Sequence, residues 1–137
     1  MARIMAIDYG KKRTGIAVTD PLQIIATGLT TVDTQQLRPW LKDYFAKEQV
    51  ERLIIGMPLG LDGRDTDATK PVRDIIRLLK KDHPGLPIET VDEQYTSKMA
   101  AQTLVDSGTK RKQRQNKRLL DEVAATIMLQ DHLRSRP

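Results

Sequence analysis

The sequence has 137 residues, which is enough for one domain with a buried core, and it contains no cysteine. Disulfides, thiolate metal sites and cysteine nucleophiles are therefore excluded. Lys and Arg number 23 against 18 Asp and Glu, a net charge of +5. No apolar run approaches the ~20 residues that cross a bilayer, and the opening residues are too quickly acidic for a secretory signal. We expect a soluble cytoplasmic protein that forms one domain over residues 1–137.

The first third of the chain predicts three strands and a helix. Segments 3–7, 14–19 and 23–32 are short, apolar and rich in β-branched residues, and the third is interrupted near Gly28. Together these segments predict an antiparallel meander. Apolar residues then recur at helical spacing, which predicts an amphipathic helix over residues 34–48.

The rest of the chain alternates strands and helices. Strands are predicted over residues 52–56 and 88–92, with a helix between them. Further helices are predicted over residues 97–106 and 117–134. The last helix is expected to bury Leu120, Val123, Ala124, Ile127 and Met128. This order predicts an α/β fold in which a mixed five-stranded sheet carries helices on both faces.

Acidic residues stand at the ends of several predicted elements. Asp8 ends the first strand, and Asp92 and Glu93 end the last one. Asp121 lies near the start of the last helix. Ligands bind at the carboxyl ends of strands in open α/β sheets, so we expect these carboxylates to meet at one edge. Carboxylates gathered in one cleft repel each other, and Mg²⁺, which prefers oxygen ligands, removes that penalty.

Each acid also has a purely structural explanation. Asp8 could start a turn, and the acidic pair that ends the last strand could lead into a helix cap. Asp121 could be placed for its interaction with the helix macrodipole. The isolated His83 and His132 are expected at the surface, so no histidine cluster competes for a metal.

Positive charge is concentrated in one run of the sequence. Residues 109–118 hold six cations and no acid, while the rest of the chain has 17 basic and 18 acidic residues. The six are Lys110, Arg111, Lys112, Arg114, Lys117 and Arg118. Such a run is typical of proteins with a polyanionic partner, although a solvated loop has the same composition. The aromatic content of 4% disfavours a base-stacking platform, so structured RNA or branched duplex fits better.

Four segments, "AIDYGKKRTGIAV", "IIGMPLGLDG", "VDEQYTS" and "NKRLLDEVAATIML", resemble in order the motif blocks of the YqgF/RuvX family. These are Holliday-junction-resolvase-like proteins with a ribonuclease H-like fold. The resemblance covers nearly the whole chain. It implies a metal-dependent endonuclease that processes the 5′ end of pre-16S rRNA in ribosome biogenesis, in the bacterial cytoplasm.

The resemblance also implies roles for individual residues. Asp8, Glu93 and Asp121 match the catalytic acids and would hold one or two Mg²⁺ or Mn²⁺ ions. Lys117 matches the basic residue of the last block, and with the run 110–114 it would bind backbone phosphates. We expect the loop 58–63 to shape the cleft. Independently of the resemblance, we expect the cations that follow the first acid to hold the flanking strand: Lys11, Lys12 and Arg13.

The sequence departs from the family pattern at two positions. Gln94 stands where the family has Arg, so a cation expected near the site is missing. Ala124 stands where related junction resolvases carry a further acid. Glu122 lies one residue after Asp121 and should point about 100° away around the helix. We therefore expect three protein carboxylates, with Asp20 as a weaker candidate for a fourth ligand.

Alternative functions remain open from the sequence. The same acids would serve a Holliday junction resolvase that acts on branched DNA. A non-catalytic RNA-binding factor in ribosome assembly or transcription would need only the basic run. An actin-like ATP-handling domain is suggested by the opening hairpin alone. The expected partners are pre-rRNA, ribosomal precursor particles or branched DNA, with the chain a monomer or a weak homodimer and no membrane contact.

Overall fold

Five strands and three α-helices form the part of the chain that the structure describes. The structure is a computed structural model, which describes residues 2–58, 66–92 and 117–135, with side chains in the last range from residue 121 onward. The strands are β1 (Arg3–Tyr9), β2 (Arg13–Thr19), β3 (Ala26–Asp33), β4 (Val50–Met57) and β5 (Ile88–Asp92). The helices are α1 (Leu37–Lys47), α2 (Thr69–Asp82) and α3 (Lys117–Ser135), and a 3₁₀ turn, Thr34–Gln36, precedes α1.

The predicted elements are confirmed where the structure describes them. The bounds of β5 match the prediction, and β1 continues two residues further, through Asp8 to Tyr9. The predicted helix over 34–48 begins as a 3₁₀ turn, and its α-helical part starts at Leu37. The predicted helix over 97–106 lies outside the described residues.

The strands form one mixed sheet in the order β3-β2-β1-β4-β5. β2 is antiparallel to both β1 and β3, while β4 is parallel to both β1 and β5. Ile16 pairs with Thr30 but Ala17 pairs with Gly28, so the register shifts at the interruption that the sequence predicts. The carboxyl ends of β1, β4 and β5 share one edge of this sheet.

One face of the sheet packs against α1 and α2 through large aliphatic side chains. Leu37 and Leu41 of α1 are fully buried there, because they lie one helical turn apart on the same side of the helix. The cluster comprises Met5, Ile7, Ile16, Val18, Leu37, Leu41, Leu53, Ile55, Val72, Ile75 and Leu79. His83, expected at the surface, is half-buried at the end of α2, with its ring 4.8 Å from that of Phe45.

The opposite face of the sheet packs against α3 through smaller side chains. The cluster comprises Ile4, Ala6, Ala17, Ala26, Ile54, Ala125, Met128 and Leu129. The prediction for α3 is right for Ala124 and Met128, which are buried, and wrong for Val123 and Ile127, which are half-buried. Helices therefore cover both faces, as predicted. None of the described helices is long and apolar enough to span a membrane.

Candidate functional site

Asp8 lies near the end of the central strand, on the face that α3 covers. Along β1, Met5 and Ile7 belong to the α1–α2 side of the core, and Ile4 and Ala6 belong to the α3 side. Because side chains alternate along a strand, the half-buried Asp8 lies on the α3 side with Ile4 and Ala6. Tyr9 lies on the α1–α2 side of the sheet. Its burial raises the pKa of its phenol, and the negative charge of Asp74 adds a smaller effect in the same direction.

Gly15 is the point where α3 reaches the sheet. A Cβ at this position would overlap the backbone carbonyl of Asp121 and would lie 2.8 Å from the amide nitrogen of Glu122. Only glycine allows so close an approach of a helix backbone to a strand. Gly15 is also the residue of β2 that pairs with Asp8. The Cβ positions of such paired residues lie about 5 Å apart, so this contact places Asp8 and Asp121 on one face at one sheet edge.

Arg13 forms an ion pair with Asp121 on the same face. Its Nε lies 3.5 Å from Oδ2 of Asp121, and both side chains are about 28% exposed. This Nε is buried and makes no hydrogen bond within the described part of the chain. The pair was not predicted, although the alternation along β2 assigns Arg13, Gly15 and Ala17 to one face. A guanidinium here compensates the negative charge that the two carboxylates bring together.

Glu122 is directed away from Asp8, as the helix geometry predicts. Its carboxylate and Cγ lie over Gly28 of β3, where a Cβ would come within 2.6 Å of Oε1. Thr126, one turn later, contacts the same glycine and donates a hydrogen bond to the carbonyl of Glu122 at 2.9 Å. Strand β2 separates this contact from β1, so Glu122 is no substitute for the acid missing at Ala124.

Asp92 ends β5 on the sheet face opposite to that of Asp8. Asp92 pairs with Met57 at the carboxyl edge, next to β4. Val91 packs with the α3-side cluster, so alternation assigns Asp92 to the other face, away from Asp8. Glu93, the predicted third ligand, lies outside the described residues. Within the described ranges, no group of three or more histidine or acidic side chains is gathered for a metal ion.

The predicted cations other than Arg13, which pairs with Asp121, fall into three groups. Lys11 and Lys12 are exposed on the turn between β1 and β2. Thr34 holds this turn, because its amide donates to the Lys12 carbonyl at 3.0 Å and its hydroxyl donates to the Gly10 carbonyl at 2.6 Å. Lys117 begins α3, but its side chain is not described. The remaining predicted cations lie outside the described residues: Lys110, Arg111, Lys112 and Arg114.

Asp20, considered as a fourth ligand, has a structural role instead. It follows β2 at the opposite edge of the sheet, and five residues of strand, about 17 Å, separate it from Gly15. Its carboxylate accepts hydrogen bonds from the amides of Leu22, Ile24 and Ile25 at 2.8–3.0 Å. These hydrogen bonds lower the pKa of Asp20, and the one from the amide of Ile25 has the largest effect. The expectation that Asp20 is a fourth metal ligand is therefore wrong, because its carboxylate is hydrogen-bonded to the backbone of the turn after β2.

Similarity to known proteins shows the family of this chain. The RuvX family, described as Holliday junction resolvase, matches residues 2–135. The chain belongs to the RuvX family. It is 54% identical over 133 residues to a protein of Flavobacterium psychrophilum named "Putative pre-16S rRNA nuclease", covering 97% of both chains. It is 52% identical over 136 residues to a protein of the same name from Bacteroides thetaiotaomicron, covering 99% of both.

Solved structures of RuvC from Thermus thermophilus share the fold of this RuvX chain. The structure in complex with a Holliday junction substrate matches with a TM-score of 0.58, covering 99% of this chain and 96% of that one. A second RuvC structure matches with a TM-score of 0.56, covering 98% and 95%. Sequence identity is 14% in both cases, so the likeness concerns the fold, which is ribonuclease H-like as predicted.

Proposed function

We propose that this RuvX protein is a metal-dependent endonuclease that cleaves phosphodiester bonds in structured nucleic acid, and that its substrate is the 5′ end of pre-16S rRNA. The contact between Gly15 and the backbone of Asp121 carries the proposal, because it brings Asp121 to the strand pair that holds Asp8. The name shared by the curated relatives supports this substrate. Processing of ribosomal RNA would place the protein in the bacterial cytoplasm.

A divalent metal fits the donor atoms of the site. Asp8 and Asp121 supply carboxylate oxygens on one sheet face, and Mg²⁺ and Mn²⁺ prefer such ligands. We propose Glu93 as the third ligand, because it follows Asp92 directly in the chain and matches the family motif. One or two ions bound there would supply Lewis-acid catalysis to phosphodiester hydrolysis. Arg13 would hold the carboxylate of Asp121 in place through its ion pair.

The cations near the site would bind the substrate backbone. Lys11 and Lys12 are exposed on a turn that begins two residues after Asp8, so phosphates on either side of the cleavage point can reach them. We propose the same role for Lys117 and the run 110–114 on the basis of sequence. Contacts of this kind position nucleic acid without reading its sequence, and they make affinity fall as salt rises.

A four-way DNA junction is the second candidate substrate. Two observations favour it. The family is described as Holliday junction resolvase, and the similar RuvC fold is known in complex with a Holliday junction substrate. Both substrates present a phosphodiester to the same carboxylates, so the site alone does not separate them.

A cleavage assay on both substrates tests the proposal. Precursor 16S rRNA and a four-way DNA junction are incubated with the protein in Mg²⁺ or Mn²⁺, with Asp8→Asn as the test variant. Asp20→Asn is the matched control, because it makes the same change at the opposite edge of the sheet. We expect Asp8→Asn to lower the rate ~1000-fold, equivalent to about 4 kcal/mol of transition-state stabilisation. Asp20→Asn should cleave like the unsubstituted protein.

The outcomes separate the possible functions. Metal-dependent cleavage of the RNA alone supports the rRNA substrate, and cleavage of the junction alone supports a resolvase. Undiminished cleavage by Asp8→Asn would contradict the proposed site. Binding of RNA without cleavage in either metal would contradict the nuclease and favour a non-catalytic RNA-binding factor.

A further inference from the structure

A cavity of about 390 Å³ opens beside the turn between β1 and β2. It is lined by Tyr9, Gly10, Lys11, Asp67, Ala68 and Pro71. Cavities that hold small organic groups begin at about 300 Å³ and combine apolar walls with a few polar groups. Tyr9 directly follows Asp8 in β1, so the cavity and the candidate active site lie on opposite faces of the same strand end.

Both walls of this cavity are fixed by hydrogen bonds of threonine residues, through the side chain and the backbone amide of Thr34 and through the side chain of Thr69. On one side, Thr34 donates hydrogen bonds to the carbonyls of Gly10 and Lys12, which sets the path of the turn. On the other side, Thr69 donates to the carbonyl of Pro58 at 2.6 Å and accepts from the amide of Thr66 at 2.8 Å. These bonds hold the segment that carries Asp67 and Ala68 against the end of β4. The cavity is therefore formed before any ligand arrives.

The lining suits a nucleobase attached to a phosphate. The ring of Tyr9 and the apolar surfaces of Ala68 and Pro71 can contact the faces of a planar base. The carboxylate of Asp67 can accept hydrogen bonds from an exocyclic amino group, and the ammonium of Lys11 can bind the adjoining phosphate. The single aromatic ring limits the site to one base, which is consistent with the low aromatic content of the chain.

We propose that this cavity binds one unpaired base of a nucleotide that flanks the cleaved phosphodiester. The inference rests on the proposed nuclease function and narrows its substrate to structured nucleic acid with an unpaired nucleotide beside the cleavage point. A strand whose phosphate lies at Asp8 passes over the end of β1, and its neighbouring base then reaches the Tyr9 side. Unpaired nucleotides are the parts of structured RNA whose bases are free to be bound this way.

Binding of two matched RNA hairpins tests this site. One hairpin carries a single unpaired 2-aminopurine in its stem and the other pairs the same position. Affinities are measured with the Asp8→Asn protein in EDTA, so binding is read without cleavage and a failed cleavage assay does not affect the result. We expect the unpaired hairpin to bind at least fivefold more tightly, with a change in 2-aminopurine fluorescence. Equal affinities with unchanged fluorescence would overturn the proposal.

Two further variants on the same background locate the site. Lys11→Ala and Lys12→Ala remove the same charge from the same exposed turn, but only Lys11 lines the cavity. Lys11→Ala should reduce the preference for the unpaired hairpin, whereas Lys12→Ala should weaken both hairpins equally. Ala68→Phe, at an exposed position, should fill the cavity and abolish the preference without touching the core. An unchanged preference in Lys11→Ala and Ala68→Phe would show that the base binds elsewhere.

Discussion

The two faces of the sheet are packed in different ways. On the α1–α2 face, large aliphatic side chains such as Leu53, Ile55 and Leu79 are fully buried. On the α3 face, Ile4 and Ile54 are buried beside the smaller Ala6 and Ala17, and Gly15 and Gly28 lie directly against the helix. Since hydrophobic stabilisation scales with buried apolar area, the α1–α2 face supplies more of it per residue.

The smaller side chains of the α3 face have a consequence for function. They let the backbone of α3 touch β2, which brings Asp121 to the edge where β1 presents Asp8. A bulkier packing would hold the helix further from the sheet and would separate the two carboxylates. Both faces therefore stabilise the fold, but only the packing of the α3 face positions the candidate site.

The largest expected loss of stability comes from replacing either of two neighbouring residues of β4 whose side chains lie on opposite faces of the sheet. Leu53 belongs to the α1–α2 side and Ile54 to the α3 side, and both are fully buried. Replacing either with alanine should lower the free energy of unfolding by about 2–5 kcal/mol, measured by urea denaturation. Ile54→Ala should also lower the cleavage rate per folded molecule, because Ile54 belongs to the cluster that holds α3 against the sheet. Equal cleavage rates in the two variants would contradict the division between the faces.

Gly15→Ala tests the contact between α3 and β2. The added Cβ meets backbone atoms of Asp121 and Glu122, so the helix or the strand must shift. We expect a loss of about 1–3 kcal/mol in stability. Displacement of Asp121 should lower the cleavage rate about 100-fold.

Gly85→Ala is the matched control for this contact. A Cβ at Gly85 meets nothing within 4 Å, so the variant should stay within about 0.5 kcal/mol of the unsubstituted protein and cleave normally. Full cleavage activity in Gly15→Ala would show that the contact between α3 and Gly15 does not position the candidate site.

The smallest expected effect concerns the carboxylate at the opposite edge of the sheet. Asp20 accepts three backbone hydrogen bonds, and its pKa is lowered. A lowered pKa means that the charged form stabilises the fold above the ordinary value of about 3.9, and that this contribution is lost as pH falls through the lowered value. Asp20→Ala should therefore be less stable at pH 7, and the difference should shrink as the pH falls through the lowered pKa of Asp20. A difference in unfolding free energy that does not change with pH would contradict this role.

Sequence patterns predict most of the fold because they are local. The short apolar runs and β-branched content of the strands, and the helical spacing of apolar residues such as Leu37 and Leu41 in α1, predict the element order and the mixed sheet. The interruption near Gly28 also follows from composition, and the structure shows a register shift there. The sequence also predicts that Asp8 lies near the carboxyl end of β1, because it directly continues the apolar run of that strand.

The features that the sequence did not predict depend on contacts distant in the chain. The buried side of α3 includes Ala125 and Leu129 rather than Val123 and Ile127, because the glycines of β2 and β3 set how the helix rests on the sheet. The pairing of Arg13 with Asp121 joins residues more than 100 positions apart. No local pattern carries that information.

Metal binding tests the central claim most directly, because it needs no substrate. Mn²⁺ binding is measured by titration calorimetry and by the loss of the free-ion electron paramagnetic resonance signal. The account predicts that the unsubstituted protein and Asp20→Asn bind Mn²⁺ alike, and that Asp8→Asn and Asp121→Asn each lose most of this binding. Undiminished Mn²⁺ binding by Asp8→Asn and Asp121→Asn, or no binding by the unsubstituted protein, would contradict a carboxylate metal site on the α3 face.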